Sequence, residues 1–573
     1  MTNIRPSHPQ ALFDLDHKRA AQLLQLGRLI GAFSVSAFFV LLLFEGVPRS
    51  ISVEQWETTA QAGILAGAAL GLVLSWRFEG IGSGLLMIGG VTLGVLASIA
   101  YSPPVAFLAA LAFVTPGTLI ALHWQRRVGR VPLFALLLAV GSVLGAGGYA
   151  SNRVYDYYTG PTHPESVTAA FPDGPVEWTW AGALTSHGFV VKAVLEDDAG
   201  RAELLVSPNA DLSEPKRIPG ANTYRRDDEL WTFEVDDLAP GRQYWWAIEV
   251  DGVVDVARTG TTATAPSGPA TFTFAVGSCL RTESNGQVFD AIRDLDPLFF
   301  ILDGDYGYED LVTTDPLKFG AVYGRNVSRP AQQSMLLATP LVYVWDDHDY
   351  GGNDADRYSL SRAAVREAYD QYVPHYRLTA DDGPIFQAFT IGRVRFLITD
   401  TRSARDPETS PPTMLGDQQK SWLKRELLAA RDTHALIVLV NGVPWIAPEQ
   451  EGADHWAGFA EERTELATFI DENGIENLVM LSGDAHMVAI DDGSNNTFAA
   501  SGEPGFPVFH AAALDRRGKV KGGPYSEGAI AGGGQFGLVT VTDVGGDTVD
   551  VLLSGRDYTG AEILRYEFSV STR

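Results

Sequence analysis

Hydrophobic positions along this chain of 573 residues follow three successive patterns. Up to about residue 150 they form long stretches that are nearly free of charge, and from residue 176 to residue 265 they form short alternating runs. From about residue 270 onward, continuous apolar runs alternate with helical stretches. The first pattern is typical of membrane helices, the second of antiparallel strands, and the third of an α/β sheet covered on both faces. This length and patterning predict at least three folding units.

Five apolar stretches in the first region approach the roughly 20 residues that a spanning helix needs. They are Leu29–Phe44, Thr59–Trp76, Gly80–Tyr101, Pro104–Trp124 and Val131–Ala150. We interpret residues 1–150 as an all-α transmembrane anchor of five helices. A cleaved signal peptide is the alternative for the first stretch, but the segment Glu45–Pro48 has no small-residue cleavage site. No Asp, Glu, Lys or Arg lies inside the stretches, which favours an anchor over a transporter.

Basic residues near the ends of these stretches predict the orientation of the anchor. Those on one side are Lys18, Arg19, Arg28, Arg77, Arg126, Arg127 and Arg130, whereas the opposite loops carry only Arg49. Because positive charge collects on the cytoplasmic side, we expect a cytoplasmic N-terminus. Five crossings then place everything after Ala150 outside the cytoplasm, held at the cell (inner) membrane.

The middle of the chain predicts a linker followed by a small β-domain. Residues 151–175 contain four prolines and read as the linker. Residues 176–265 carry short β-prone runs and an Asp251-Gly252 hairpin turn, which predict an antiparallel sandwich. The segment Leu238–Tyr244 resembles the tyrosine corner of fibronectin type III domains. We therefore expect a fibronectin-III-like β-domain beside the third unit.

The third unit, residues 270–573, is predicted to be a two-sheet α/β sandwich. Helices are expected at Leu360–Tyr372, Asp417–Arg431 and Glu461–Asn473. Several buried-strand patterns end in loops with metal-ligand residue types. These loops are Gly277-Ser278-Cys279, Gly304-Asp305-Tyr306-Gly307-Tyr308, Trp345-Asp346-Asp347-His348-Asp349, Asp400-Thr401-Arg402 and Gly483-Asp484-Ala485-His486. Loops at the carboxyl ends of strands converge in one crevice, so the pattern predicts one metal site assembled from distant segments.

The donor types indicate what kind of metal would bind. A thiolate, a phenolate and carboxylates are all anionic, and such a set suits a highly charged ion such as ferric iron. These donors are Cys279, Asp305, Tyr308, Asp484 and His486. A neighbouring site for a harder ion would use Asp347, Asn353 and His486, with Asp305 bridging the two.

Charge and cysteine content exclude some function classes. The formal net charge is −27, yet residues 1–150 hold nine basic and six acidic residues, so the remainder is strongly acidic. An acidic domain repels polyanions, and nucleic-acid binding is therefore not expected. Cys279 is the only cysteine, which excludes an intrachain disulfide.

The loops quoted above resemble, in their order, the signatures of PhoD-type alkaline phosphatases, relatives of the calcineurin-like metallophosphoesterases. A further matching motif, Leu415-Gly416-Asp417-Gln418-Gln419-Lys420-Ser421-Trp422-Leu423, lies between the Asp400 and Gly483 loops. The resemblance covers about Val176 to Arg573, including the small β-domain. It implies that Cys279, Asp305, Tyr308 and Asp484 hold Fe3+, and that Asp305, Asp347 and His486 hold Ca2+. Another divalent pair such as Zn2+ or Mn2+ is the alternative. Secreted members commonly carry a twin-arginine signal, whereas this chain has the predicted anchor.

The chemistry implied by the resemblance is hydrolysis of phosphate monoesters, diesters or both by attack of a metal-bound hydroxide. His348 matches the histidine that contacts the substrate phosphate, and Asn441 stands where many metallophosphoesterases have a metal-binding histidine. Arg402 is expected either to bind the phosphate bidentately or to form a structural ion pair with Asp400 or Asp406.

Two further interpretations stay open at the sequence level. A basic cluster could attract anionic substrate or lipid headgroups, although a solvated loop is the favoured interpretation. Its members are Arg516, Arg517, Lys519 and Lys521. The alternative function is a catalytically inactive, membrane-tethered binding or adhesion protein in which the α/β unit is a metal-stabilised scaffold. The intact donor set argues against that alternative.

Overall fold

A computed structural model describes residues 9–45, 56–99, 102–129, 131–196, 199–225, 228–379 and 383–572. Contacts between residues divide the chain into two units, Met1–Gly160 and Pro161–Arg573. The residues of the predicted β-domain fall within the second unit. Arg49, Tyr101 and Arg130, which entered the predicted spans and their orientation, lie outside the described residues.

The first unit consists of helices. They are α1 (Pro9–Glu45), α2 (Trp56–Leu74), α3 (Glu79–Ala97), α4 (Pro103–Val128) and α5 (Leu133–Thr159). Glycines let neighbouring helices approach closely: a side chain at Gly82 of α3 would collide with the backbone of Gly71 in α2. In an apolar environment the hydrophobic effect does not hold apolar helices together. Close packing at small residues then stabilises their association.

Four helical segments are long and apolar enough to cross a membrane, judged by length and composition. They are Ala21–Val40, Glu79–Ala97, Pro103–Val128 and Leu133–Thr159. The second of the five predicted spans corresponds to the shorter apolar helix Ala60–Leu74. Membrane insertion and orientation therefore stay predictions.

The predicted linker differs from the structure in two ways. Helix α5 continues to Thr159, so the first part of residues 151–175 is helical. The segment that follows, residues 161–168, is bound to the second unit and is called the strap below. The backbone N–H of Ser166 donates to the carbonyl of Asn285 (2.7 Å), and that of Gln287 donates to the carbonyl of Pro164 (2.9 Å). The prolines in this segment led to the prediction of a linker. The sequence contains no signal for its hydrogen bonds to Asn285 and Gln287.

Residues 176–263 form short strands that pack as two sheets. They are β1 (Val176–Gly182), β2 (Phe189–Leu195), β3 (Ala202–Ser207), β4 (Lys216–Pro219), β5 (Ala221–Arg225), β6 (Asp228–Val235), β7 (Gln243–Val250), β8 (Val253–Val254) and β9 (Gly260–Ala263). One sheet contains β1, β2, β6 and β5, and the other contains β4, β3, β7 and β8, with β9 on β7. The backbone N–H of Ala239 donates to the phenol oxygen of Tyr244 (3.0 Å), as the tyrosine-corner resemblance implies.

The rest of the second unit alternates strands with helices. The strands are β10 (Phe272–Gly277), β11 (Phe300–Asp303), β12 (Leu341–Val344), β13 (Gln387–Ile391), β14 (Val394–Ile398), β15 (Leu436–Asn441), β16 (Leu478–Ser482), β17 (Met487–Asp491), β18 (Val508–Ala511), β19 (Gly528–Ala531), β20 (Gln535–Thr542), β21 (Thr548–Asp557) and β22 (Glu562–Ser571). The helices are α6 (Gln287–Asp294), α7 (Pro316–Val327), α8 (Pro330–Ala338), α9 (Asp347–Tyr350), α10 (Arg362–Tyr372), α11 (Gly416–Arg431) and α12 (Ala460–Glu472). The last three match the predicted helices to within two residues.

These strands form two mixed sheets, and the predicted α/β class is confirmed. The larger has the order β22-β21-β20-β10-β11-β12-β1-β2-β6-β5, and the smaller has the order β13-β14-β15-β16-β18-β17-β19. A buried aromatic cluster joins them: the Phe274 ring lies 5.3 Å from that of Phe396, which stacks on Phe389 at 4.7 Å. Strand β1 pairs in parallel with β12 at Gly182 and Leu341, so the larger sheet runs without interruption into the predicted β-domain.

Candidate metal centre

Loops at the carboxyl ends of strands from both sheets meet at one point. Cys279 follows β10, Asp305 and Tyr308 follow β11, Asp347 follows β12, and Asp484 and His486 follow β16. Gly483 allows the close approach, because a side chain there would collide with the carbonyl of Asp303 and would lie 3.1 Å from Oγ of Ser278. These six predicted donors thus lie together, although more than 200 residues separate the first from the last.

The backbone at these donors is held in an unusual conformation. Four of them have φ in the left-handed region: Cys279 at 60°, Asp305 at 58°, Asp484 at 58° and His486 at 50°. This region costs a non-glycine residue roughly 1–2 kcal/mol, and such costs concentrate at functional sites. The loops are therefore shaped to turn these side chains toward a common point.

Asp305 is the centre of the cluster. One of its oxygens, Oδ2, lies 3.5 Å from the Cys279 sulfur and accepts a hydrogen bond from the Tyr308 phenol at 2.7 Å. Ligand atoms of Cys279, Asp305 and His486 all lie within 4.8 Å of one another. The same spacing holds for Asp305, Asp347 and His348, and for Asp305, Asp346 and Asp484. Asp305 belongs to all three groups, as a bridging ligand would.

His486 is oriented by the backbone behind it. Its Nδ1 lies 2.9 Å from the carbonyl oxygen of Arg517, and its Nε2 lies 2.9 Å from the phenol oxygen of Tyr308. A carbonyl can only accept a hydrogen bond, so Nδ1 carries the proton and the lone pair of Nε2 faces the cluster. Burial, helped by the nearby charge of Lys521, lowers the pKa of His486 to about 3. The imidazole is thus neutral, the form that binds metals.

His348 has the opposite character. Its Nδ1 donates to Oδ1 of Asp310, and its ring lies 4.1 Å from that of Tyr308. Burial alone would lower the pKa of His348, but Asp347, Asp305 and Asp310 raise it to about 10. A cationic imidazole beside the donor cluster suits an anionic ligand. Asp310 was not identified from the sequence.

Buried acidic groups with raised pKa values, and buried carboxylate oxygens without partners among the described residues, indicate that the donor set fits a metal. Burial, together with Asp305 and other nearby anions, raises the pKa of the Cys279 thiol and of the Tyr308 phenol. The Asp305 carboxyl has its pKa raised to about 6, again mainly by burial. Among the described residues, neither Oδ1 of Asp305 nor Oδ2 of Asp346 has a hydrogen-bond partner, although both atoms are buried. Bound cations would replace the protons and pair with these oxygens.

Arg402 lies behind the cluster and is fully buried. Its guanidinium forms an ion pair with Asp346 and a bidentate pair with Asp454 at 2.9 and 3.1 Å. This placement favours the structural alternative for Arg402 over phosphate binding. The predicted partners were wrong: Asp400 instead accepts bonds from the backbone of Arg402 and from the Trp345 indole, because its carboxyl caps the turn after β14.

Two asparagines named in the sequence analysis have different surroundings. Asn353 and the adjacent Asp354 are both exposed, and carboxylate oxygens of Asp354, Asp347 and Asp454 lie within 4.8 Å of one another. Asn441 is satisfied within the protein: its amide donates to the carbonyl of Val443 (2.6 Å), and its oxygen accepts from the Trp456 indole (2.8 Å). Asp354 and Asp454 were missed, because no sequence spacing relates them to Asp347.

Asp349 shapes the loop that carries Asp305. Its carboxylate accepts hydrogen bonds from the backbone N–H groups of Asp305 (2.6 Å), Tyr306 (2.7 Å) and Asp346 (2.9 Å). One side chain therefore holds the loops after β11 and β12 together. Its place in the Trp345–Asp349 motif was the signal available in the sequence.

The basic cluster reaches the donor cluster with two of its members, so the solvated-loop interpretation is wrong for them. The Arg516 guanidinium carbon lies 3.9 Å from the centre of the Tyr308 ring. Nζ of Lys521 lies 3.2 Å from Oδ1 of Asp484, and this cation keeps the pKa of Asp484 below its usual range despite burial. Arg516 and Lys521 lie in the loop between β18 and β19. The position of these two strands brings the loop to the donor cluster.

Comparison with known proteins gives concordant results. Residues 274–519 match the family model of the PhoD-like phosphatases. Alkaline phosphatase D of Bacillus subtilis (strain 168) is 27% identical over 309 residues, which are 44% of this chain and 52% of that protein. The chain therefore matches about half the length of this curated relative.

One solved structure shares the fold. The structure of PhoD aligns with a TM-score of 0.53 and 18% identity, covering 71% of this chain and 92% of that chain. A purple acid phosphatase from yellow lupin (Lupinus luteus) seeds aligns with a TM-score of 0.49 and 13% identity, covering 69% and 74%. The family match and the curated relative thus show sequence similarity to PhoD-like phosphatases, and the PhoD structure shows a shared fold.

Proposed function

We propose, on the premise that residues 274–519 are a PhoD-like phosphatase domain, that the protein is a metal-dependent hydrolase of phosphate mono- or diesters. The observation that carries the proposal is the convergence of donors on Asp305, with the Cys279 sulfur at 3.5 Å and the Tyr308 phenol at 2.7 Å. The domain would be held at the cell membrane by the first unit and would face away from the cytoplasm. The four apolar segments and the basic loops support this placement.

Two metal positions are proposed. Cys279, Asp305, Tyr308 and Asp484 would hold Fe3+, and Asp305, Asp347 and His486 would hold Ca2+, with Asn353 as a further donor. The anionic character of the first set and the oxygen-rich character of the second support this division. When bound, the metals supply positive charge that activates water and neutralises the phosphate.

The chain's own residues have distinct tasks in this proposal. His348, kept protonated by Asp347, Asp305 and Asp310, donates a hydrogen bond to a phosphate oxygen and stabilises charge there. Asp349 keeps the Asp305 loop in position, and the carbonyl of Arg517 keeps His486 in the tautomer that can bind a metal. Arg402 positions Asp346 and Asp454 instead of touching the substrate.

Turnover of chromogenic phosphate esters tests the activity. The purified full chain is assayed with p-nitrophenyl phosphate and bis-p-nitrophenyl phosphate, before and after chelation and metal return. We expect Asp305→Asn to lower kcat/KM by about 100-fold or more, because this carboxylate would bridge both metals. Asp294→Asn, an exposed carboxylate on α6, is the matched control and should keep wild-type activity. A wild-type protein with full metal content and no turnover would support the inactive scaffold instead.

The visible spectrum tests the iron assignment. Tyrosinate bound to ferric iron gives a charge-transfer band, so the purified protein is expected to be coloured. Tyr308→Phe should bleach the band, whereas Tyr358→Phe, which changes a tyrosine with an exposed side chain, should leave it unchanged. A colourless wild type with stoichiometric zinc would contradict the assignment to iron.

A further inference from the structure

Arg516 lies against the donor cluster, and no carboxylate in the described part of the chain is its counterion. Its guanidinium lies over Tyr308, the ring that also contacts His348 at 4.1 Å. Among the described residues, no carboxylate forms an ion pair with Arg516, and its Nε is buried without a hydrogen-bond partner. Stacking uses the face of the guanidinium and leaves its in-plane N–H donors available.

The other cations around the cluster are already paired. Arg402 is held by Asp346 and Asp454, Lys521 by Asp484, and His348 by Asp310. Each of these pairs offsets a carboxylate of the protein itself. The charge of Arg516 is the one that no described carboxylate offsets, so it is available to an anion from outside.

The backbone on both sides of Arg516 is fixed. The preceding carboxylate, Asp515, is buried and accepts hydrogen bonds from Ser284 Oγ (2.5 Å), Arg281 Nε (3.2 Å) and Thr162 Oγ1 (2.9 Å). The following carbonyl, of Arg517, accepts from Nδ1 of His486. Arg516 is thus held at a set distance from a predicted metal donor, which reduces the entropy lost when it binds a ligand.

We propose that Arg516 binds the phosphate group of the substrate through its free N–H edge, beside His348; this assignment rests on the proposed function. The ligand class is an anionic phosphate with unesterified oxygens. Tyr308 serves as the platform that places the guanidinium, and Asp515 fixes the backbone behind it. Arg516 binds the phosphate and takes no part in covalent chemistry.

Kinetics and phosphate binding of the full chain, purified in detergent, test the proposal. Arg516→Ala should lower kcat/KM for p-nitrophenyl phosphate and weaken binding of inorganic phosphate by about 10- to 100-fold each, the range for losing a charge-assisted hydrogen-bonded pair. Arg516→Lys should recover part of both, since it keeps the charge but loses the planar fork. Lys519→Ala, an exposed cation in the same loop, should stay within about twofold of the wild type.

Metal content and calorimetry separate the possible failures. Unchanged phosphate affinity and unchanged KM in Arg516→Ala would overturn the proposal, as would a loss that follows metal content alone. Absence of ester turnover in the metal-loaded wild type would overturn the proposed function. In that case calorimetry with inorganic phosphate still tests Arg516: weaker binding by Arg516→Ala supports the anion site, and equal binding refutes it.

Discussion

Asp303 is a buried carboxyl that the site geometry does not use. It ends β11, its side chain is fully buried, and neither of its oxygens has a partner among the described residues. Burial, with Asp305 as the second cause, raises the pKa of Asp303 from 3.8 to about 8. The unfolded chain therefore releases this proton at much lower pH than the folded chain does.

Substitution of Asp303 is expected to change how stability depends on pH. An acid whose pKa is raised by folding destabilises the folded state progressively from about pH 4 to about pH 8, and constantly above that. Asp303→Asn should therefore stabilise metal-free protein, with a gain that grows across this window to the order of a few kcal/mol. Denaturant unfolding of both proteins at pH 5, 7 and 9 measures the gain. Parallel pH profiles of the two proteins would show that folding does not raise the pKa of Asp303.

The position of each donor in the chain explains why some site residues could be identified from the sequence and others could not. Cys279, Asp305 and Tyr308 immediately follow strands with recognisable apolar patterns, so chain order alone placed them at one end of a sheet. Asp454 and Arg516 lie in irregular loops, and only the fold decides what these loops touch. Asp354 was missed for the same reason, because only the loop conformation decides that its carboxylate approaches Asp347.

At the scale of elements, the strap connects the start of the second unit to the site. Thr162 donates to Asp515 from both its backbone N–H and its hydroxyl, each at 2.9 Å. His163 is buried, stacks on Tyr558 at 5.5 Å, and fills the space left by Gly286 and Gly534. Asp515 would otherwise be a buried carboxylate with fewer donors.

Removal of one strap donor is expected to destabilise the second unit. Thr162→Val removes the hydroxyl but keeps the size of the side chain, and should cost about 1–2 kcal/mol because the acceptor is buried and charged. Thr168→Val is the control: it removes a 2.8 Å bond to Asp290, whose side chain is more exposed, and should cost less. Thermal or denaturant unfolding measures both. Equal effects would mean that burial of Asp515 does not determine the cost.

The hydrophobic pattern was sufficient to predict some of the helices but not the pairing of distant strands. The three predicted helices of the α/β unit were found nearly at their predicted bounds, because each has one apolar face and recognisable ends. The length of α5 was underestimated, since Asn152–Thr159 is polar enough to resemble a linker yet continues the helix. The pairing of β1 with β12 was not predicted, because strand pairing across 159 residues leaves no local signal.

At the scale of the whole molecule, the two units predict separable tasks. The second unit, Pro161–Arg573, contains the strap, both sheets and every predicted metal donor. We therefore expect a fragment of residues 161–573 to fold and to hydrolyse chromogenic phosphate esters with kcat/KM within about threefold of the full chain, as an anchor role for the first unit implies. Inactivity of a folded, metal-loaded fragment would instead indicate that the helices take part in the chemistry.

The sheet that joins β1 to β12 limits how this protein can be divided further. Gln333 donates to the carbonyl of Thr179 in β1 (2.8 Å), and the Trp180 indole donates to the carbonyl of Tyr372 (2.8 Å), both in buried surroundings. Cutting the chain near residue 270 would remove β1, which pairs with β12. The edge of β12 next to Asp347 and His348 would then be exposed. An exposed strand edge pairs with other chains, so we expect a fragment trimmed to residues 274–519 to aggregate before it can be assayed. A fragment intended for transfer to another protein should therefore include residues 176–263 together with the α/β unit.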